Sequence, residues 1–90
     1  MKYPITAQRL REALNDKKMK AQELADKTEI NKASISQYIN GSHAPSNLSA
    51  GKMAEVLDVT PLWLMGFDAP KEQTTIEVEE LRKKILKKRL

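Results

Sequence analysis

Glycine and proline divide this chain into short segments, and that division limits the fold more than any other feature of the sequence. Residues 5–18 contain neither, and Ile5, Leu10, Ala13 and Leu14 recur there at roughly helical spacing. Further short stretches lie between the later glycines and prolines, and none of them alternates like a strand. We therefore predict an all-α fold of five short helices, followed by a charged helix at the C-terminus.

The ends of these helices carry start and stop signals. Thr6 is the expected cap of the first helix and Asn31 that of the third, which stops where Gly41 supplies a left-handed C-cap conformation. Thr60 followed by Pro61 puts a cap residue before a proline in the first turn, which predicts the start of the fifth helix. The five predicted helices span residues 5–18, 21–28, 32–39, 48–57 and 62–65.

The distribution of charge and the residue types present exclude several classes of function for this chain. The net charge of +4 comes mostly from residues 71–90, because residues 1–70 hold nine lysines and arginines against eight acidic residues. A basic surface is therefore no argument for nucleic-acid binding, and a motif must supply one. The absence of cysteine excludes disulfides, thiolate zinc sites and cysteine nucleophiles. With one histidine and no convergent carboxylate pair, we expect no enzymatic activity and no cofactor.

Length and hydropathy indicate one small domain. No apolar run reaches the roughly 18 residues of a membrane span, and the first ten residues lack a signal-peptide core. We expect a soluble, cytoplasmic protein that does not associate with membranes. The predicted divisions are a helical domain at 1–68, a linker at 69–75 and a charged helix at 76–90.

The second and third predicted helices carry the pattern that points to a function. A connection of three or four residues joins them, which allows a steep crossing, and Ala25 is small enough for the two backbones to approach. A helix about 10–12 Å across fits a DNA major groove about 12 Å wide, so its exposed polar edge can reach the bases. The residues expected inside are Leu24, Ile30, Ile35 and Tyr38, and those expected on the outer edge are Lys32, Ala33, Ser36 and Gln37, with Ser34 near the helix start.

Three stretches of the chain resemble a known family. Residues 19–28 (MKAQELADKT) and 34–41 (SISQYING) resemble the helix-turn-helix of XRE/Cro-type phage and prophage repressors. Residues 59–68 (VTPLWLMGFD) look like the end of the same five-helix, lambda-repressor-like domain, especially in repressors of Gram-positive bacteria and their phages. The resemblance covers about three quarters of the chain.

The resemblance implies a set of DNA contacts. In this family the N-terminal part of the third helix enters the major groove, which implies that Lys32 donates to guanine, Ala33 meets a thymine methyl and Gln37 pairs with adenine. Asn40-Gly41 resembles the family's phosphate-contacting turn, where exposed N–H groups and the Asn amide meet the DNA backbone. The implied base contacts are Lys32, Ala33, Ser34 and Gln37, and the implied phosphate contacts are Lys20, Gln22, Ser36, Asn40, Gly41 and His43.

Two positions depart from the family pattern. Ala21 stands where the family usually has Gln or Thr to bind a phosphate, so either no residue makes that contact or Lys20 or Gln22 makes it instead. Glu29 stands where the turn usually carries Gly. A non-glycine residue with positive φ costs roughly 1–2 kcal/mol, so either Glu29 is mildly strained or this turn has a different shape.

Several residues have a plainer interpretation beside the functional one. Asn40 is a helix C-cap or a phosphate contact. His43 lies in a loop, and no second ligand clusters with it to form a metal site. Trp63, Leu64 and Met65 belong to the core or to a dimer surface.

The C-terminal residues 76–90 leave three interpretations open. Val78, Leu81 and Ile85 share one face of the predicted helix, and acidic residues near its start and basic residues near its end complement the helix dipole. This segment is either a solvated helix, a dimerisation helix, or a basic arm that reaches DNA or an acidic partner.

Together these features predict a sequence-specific transcriptional regulator that binds double-stranded DNA. We expect a repressor that acts as a homodimer on a pseudo-palindromic operator. An antitoxin that binds a partner toxin and its own promoter is the main alternative, and a module that uses the third helix to bind protein is another. Neither requires a different fold.

Overall fold

The described residues of the computed structural model, 2–72, form five helices. These are α1 (Pro4–Asp16), α2 (Ala21–Thr28), α3 (Lys32–Asn40), α4 (Asn47–Leu57) and α5 (Pro61–Leu64). The all-α prediction is confirmed for this part of the chain. The predicted helix at 76–90, with Val78, Leu81 and Ile85, lies outside the described residues. None of the described helices is long and apolar enough to cross a membrane.

The start of α1 corrects one prediction. Tyr3 is its N-cap and Pro4 occupies the first turn, so the predicted cap Thr6 lies inside the helix, with 6% of its surface exposed. Proline is favoured in a first turn because its φ is preset and its missing N–H is not needed there. The helix therefore begins before Thr6, and the threonine side chain faces the core.

The caps of α3 and α5 match the sequence prediction. Asn31 Oδ1 accepts a hydrogen bond from the Ala33 N–H at 2.7 Å, and Gly41 ends α3 with φ +81°. Thr60 Oγ1 accepts from the Trp63 N–H at 3.2 Å, and Pro61 is the first residue of α5. Each cap satisfies a backbone group that the helix itself leaves unpaired.

The core lies between α1 and the other helices. Helix α1 packs against α3 and α5, α2 packs against α3 and α4, and α4 packs against α5. Trp63 and Leu64 belong to this core, with 7% and 0% of their surfaces exposed, whereas Met65 is half-buried. The largest fully buried side chains are Leu10, Leu24, Ile35, Met53, Leu57 and Leu64.

Residues 69–72, which are the described part of the predicted linker, have backbone partners near the start of α5. Thr60 donates its backbone N–H to Lys71 O at 2.9 Å and its hydroxyl to Pro70 O at 2.5 Å, and Val59 forms an antiparallel bridge with Glu72. Ala69 packs against the core. Residues 70–72 are therefore bonded to the segment at the start of α5, and Ala69 packs on the core of the helical domain.

Candidate nucleic-acid interface

The turn between α2 and α3 is held by local hydrogen bonds. Thr28 donates its hydroxyl to Leu24 O at 2.7 Å, and Thr28 Oγ1 accepts from the Ile30 N–H at 3.3 Å. Glu29 ends α2 in the left-handed conformation with φ +60°. Of the two alternatives for Glu29, the structure therefore has the strained one, which costs roughly 1–2 kcal/mol relative to an unstrained backbone.

The inner face of the helix pair packs as predicted. Leu24 and Ile35 are fully buried, and Ala25 exposes 5% of its surface where α2 meets α3. Ile30 and Tyr38 are half-buried against the core. Helix α3 is therefore held on one side by apolar contacts, and its other side is presented outward.

The outer side of α3 carries four exposed residues, which we call the α3 edge. They lie one turn apart in pairs, because Lys32 precedes Ser36 by four residues and Ala33 precedes Gln37 by four. Ser34 is half-buried beside them. The members of the α3 edge are Lys32, Ala33, Ser36 and Gln37.

The corner after α3 differs from the prediction in one respect. Gly41 is buried, and its N–H donates to Tyr38 O at 3.3 Å. The Ser42 and His43 N–H groups both donate to Gln37 O, at 3.1 and 3.4 Å. The Gly41 N–H, which the resemblance implied to be exposed, therefore caps the helix instead, as do the N–H groups of the two residues that follow it. The exposed side chains of Asn40 and His43 remain at this corner.

The two side chains that flank Ala21 at the start of α2 differ in their partners within the protein. Lys20 is the N-cap, with an extended backbone and an exposed side chain. Gln22 is also exposed, but its Nε2 donates to Asp26 Oδ1 at 2.9 Å along the helix. Gln22 thus has a partner within α2, whereas Lys20 forms no ion pair within residues 2–72.

Three residues that hold the end of α3 have no counterpart among the sequence predictions. Arg11 Nη1 donates to Ile39 O at 2.9 Å, and the backbone N–H groups of Lys2 and Tyr3 both donate to Gly41 O at 3.0 Å. These contacts join residues 28 or more positions apart, so no local pattern indicates them. An exposed arginine on α1 is typical of any solvated helix face.

The described residues hold no metal site, and the cluster of Lys71 with Glu12 and Asp16 is not part of the α3 edge. Residues 2–72 contain no group of three or more histidine or acidic side chains placed to hold a metal. Hydrogen bonds to Asp16 and then Glu12 raise the pKa of the Lys71 ammonium to about 12. The same two ion pairs join Lys71 to α1.

A family model described as helix-turn-helix matches residues 10–64, which is more than half of the chain. The chain therefore belongs to the helix-turn-helix family, and within it to the XRE type. Members of this family are DNA-binding transcription regulators and are not typically enzymes. No curated protein and no solved structure matches the chain.

Proposed function

We propose that this chain is a transcriptional repressor that binds a pseudo-palindromic operator as a homodimer, with α3 of each copy in the major groove. The observation that carries the proposal is the α3 edge: four exposed side chains lie on a helix whose opposite face is fixed by the buried residue Ile35. A rigid helix with an exposed polar edge is what insertion into a groove requires.

The proposed base contacts follow from the chemistry of the α3 edge. The Lys32 ammonium donates to guanine O6 or N7, the Gln37 amide pairs with the N6 and N7 atoms of adenine, and the Ala33 methyl group packs on a thymine methyl. Ser34 lies half-buried at the start of the helix and completes the set.

We propose contacts to DNA phosphates on both sides of these base-contacting residues. Lys20 at the start of α2 binds the phosphate that Ala21 cannot, because the Gln22 amide is hydrogen-bonded to Asp26. On the other side the proposed contacts are Ser36, Asn40 and His43, all of them exposed. The Gly41 N–H is not among them, since it caps α3.

A dimer is proposed because one α3 edge offers few base contacts. Two copies with their third helices about 34 Å apart would read two half-sites on one face of the duplex. Exposed apolar side chains near the end of α5 provide a surface for the second copy: Ile5, Leu62 and Phe67 expose 49%, 56% and 56% of their surfaces. Gly66 lies against Ile5, which brings α1 beside this end of α5.

The dimer surface is tested by the molecular mass in solution. Leu62→Ser should lower the apparent mass toward the monomer in sedimentation experiments, while Leu48→Ser, a matched change at a residue 71% exposed on α4, should not. Deletion of residues 73–90 tests, by the same mass measurement, whether the C-terminal segment contributes to the dimer. Equal masses for Leu62→Ser, Leu48→Ser and the unmodified chain would argue against this surface.

The DNA-binding role is tested by selecting bound duplexes from a random pool and sequencing them. We expect two related half-sites with inverted symmetry. On the selected operator, Gln37→Ala should cost roughly 1–3 kcal/mol in binding free energy and change the affinity for random DNA little, as base readout requires. The matched control is Gln8→Ala on the exposed side of α1. Equal losses on operator and random DNA would make Gln37 a phosphate contact instead.

A further inference from the structure

An open groove of about 860 Å³ lies between the N-terminal segment and the loop that follows α3. Its polar groups are an ammonium, a phenol, an amide, a hydroxyl and an imidazole, and none of the described residues that line it is acidic. Amines, hydroxyls and amides are the groups with which proteins contact DNA phosphates. The lining residues are Lys2, Tyr3, Asn40, Ser42, His43 and Ala44.

The N-terminal segment is fixed beside the end of α3 by its backbone. The N–H groups of Lys2 and Tyr3 both donate to Gly41 O at 3.0 Å. These bonds use only main-chain atoms of the segment, so the Lys2 and Tyr3 side chains remain exposed in the groove. The Lys2 backbone is thereby held beside the loop that carries His43, and its side chain lines the same groove as Asn40 and His43.

The carbonyl groups at the end of α3 would ordinarily oppose an anion, because the C-terminal end of a helix carries partial negative charge. Here several of these carbonyl groups accept hydrogen bonds from within the protein. Gln37 O accepts from the Ser42 N–H at 3.1 Å and Ile39 O accepts from Arg11 Nη1 at 2.9 Å. Gly41 O accepts two N–H groups from the N-terminal segment. The guanidinium also brings a positive charge to this end of the helix.

Two side chains at the end of α3 are oriented by short local bonds. Asn40 Oδ1 accepts from the Ser42 N–H at 2.9 Å, so the amide oxygen is occupied and Nδ2 is the group that can donate to a ligand. The His43 ring lies with Nδ1 at 3.2 Å from Ser42 Oγ, which leaves Nε2 as its outer nitrogen. The groove thus combines an ammonium with several neutral donors.

We propose that this groove binds a phosphate group of the DNA backbone, and that Lys2 and Tyr3 are part of the DNA interface. The proposal rests on the orientation of α3 in the proposed function, which brings the end of α3 toward the backbone beside the major groove. Lys2 supplies the charge, the Tyr3 hydroxyl and the Asn40 amide donate hydrogen bonds, and the N-terminal segment extends the contact beyond the helix-turn-helix. No sequence motif marks either residue.

The experiment measures operator affinity as a function of salt for Lys2→Gln and for a matched control, Lys52→Gln. Both lysines are exposed, and both substitutions remove one charge. A phosphate contact releases counterions, so Lys2→Gln should reduce the slope of log K against log salt by about 0.9 and weaken binding several-fold at low salt. Lys52→Gln should leave the slope unchanged. Tyr3→Phe should weaken binding with no change of slope.

A second measurement locates the phosphate. A duplex with one neutral methylphosphonate linkage at the contacted position should bind the unmodified protein more weakly, and the same linkage should cost the Lys2→Gln variant little further affinity. Equal slopes for Lys2→Gln and Lys52→Gln, or additive losses at every linkage, would overturn the inference. If Gln37→Ala still loses operator preference in that case, the proposed function stands alone; if the unmodified chain binds no duplex, both are wrong.

Discussion

Two regions of the domain use their cationic side chains in opposite ways. In one region, which we call the Trp63 end, Arg9 and Lys71 lie over the Trp63 ring, with the guanidinium carbon 5.1 Å and the ammonium 5.3 Å from its centroid. Arg9 also donates to Trp63 O and Phe67 O, both at 2.7 Å. On the α3 edge, Lys32 is exposed and forms no ion pair among the residues described.

The comparison shows that the number of positive charges says little about where an anionic partner binds. The Lys71 ammonium is neutralised within the protein by Asp16 at 2.6 Å and Glu12 at 2.9 Å. Its role is to fix the segment after α5 to α1. The α3 edge has fewer charges, but its side chains are exposed on a rigid helix. Position and availability therefore distinguish a cation that is neutralised within the protein from one that is exposed to an anionic partner.

The largest expected effect separates the two regions by stability. Trp63→Ala removes a buried ring and should lower the free energy of unfolding by about 3–5 kcal/mol, as truncation of a core aromatic does. Gln37→Ala on the α3 edge should change it by less than about 0.5 kcal/mol, because surface substitutions rarely cost more. Chemical denaturation measures both.

If Trp63→Ala fails to fold, Trp63→Phe provides the measurement, since it retains a ring for Arg9 and Lys71. We expect a smaller loss than for alanine. Equal unfolding free energies for the Trp63 and Gln37 variants would remove the distinction between a structural end and a DNA-binding edge.

A second prediction tests the backbone near the Trp63 end. Gly66 has φ +98°, and a Cβ added there would lie 3.4 Å from Ile5 Cγ2. Gly66→Ala should therefore destabilise the domain by about 1–2 kcal/mol. The matched control is Gly51→Ala within α4, where an added Cβ meets nothing within 4 Å.

Because alanine is the better helix former, Gly51→Ala should stabilise the domain by about 0.5–1 kcal/mol. Thermal denaturation of the two variants should thus show shifts of opposite sign. Unchanged or increased stability for Gly66→Ala would show that the left-handed backbone at Gly66 does not require glycine.

A third prediction concerns the turn that leads into α3. Glu29→Gly should relieve the left-handed strain of roughly 1–2 kcal/mol, offset in part by the greater entropy of glycine in the unfolded chain. We expect a net gain of about 0.5–1 kcal/mol in unfolding free energy. Operator affinity should stay the same, because the turn conformation is retained. A loss of stability would show that the Glu29 side chain makes a stabilising interaction that outweighs its strain.

The smallest expected effect is local and lies at the Trp63 end. Lys71→Gln removes the ion pairs with Asp16 and Glu12, so the Thr60 N–H, which donates to Lys71 O, should exchange faster with solvent. Lys27→Gln, which removes the Glu23 pair on α2, is the control and should leave that exchange rate unchanged. Amide hydrogen exchange monitors both variants.

The same attachment has a defined dependence on pH. The pKa of Lys71 is raised from 10.5 to about 12 in the folded domain. A raised pKa means that the folded state holds the proton more tightly, so this contribution is complete below about pH 10.5 and is lost as the pH rises through about 12. Protection of the Thr60 N–H should therefore not decline, relative to the Lys71→Gln variant, until strongly alkaline pH.

The helix caps and helix faces that depend only on residues close together in the sequence were predictable. Asn31 caps α3 two residues from its partner, Gly41 ends it, and Thr60 with Pro61 begins α5. The inward face of the helix pair was also predictable, because Leu24 and Ile35 stand at helical spacing around the small residue Ala25. The pattern of the α3 edge follows from the same periodicity.

Contacts between distant residues were not predictable. Residues 69–72 resemble a linker in composition, yet Lys71 reaches Asp16 across 55 positions. Thr6 has the chemistry of a cap, but Pro4 starts the helix earlier. Lys2 carries no signal at all and is positioned by Gly41.

The amino-acid order alone thus determines five helices, the caps of α3 and α5 and the exposed edge of α3, because hydrogen bonds and periodicity within a few residues control them. Tertiary packing decides which cations are bound internally, how residues 69–72 return to α1, and how Lys2 and Arg11 cover the end of α3. Those features depend on the approach of groups far apart in the chain, and that approach exists only after the core around Ile35 and Trp63 has formed.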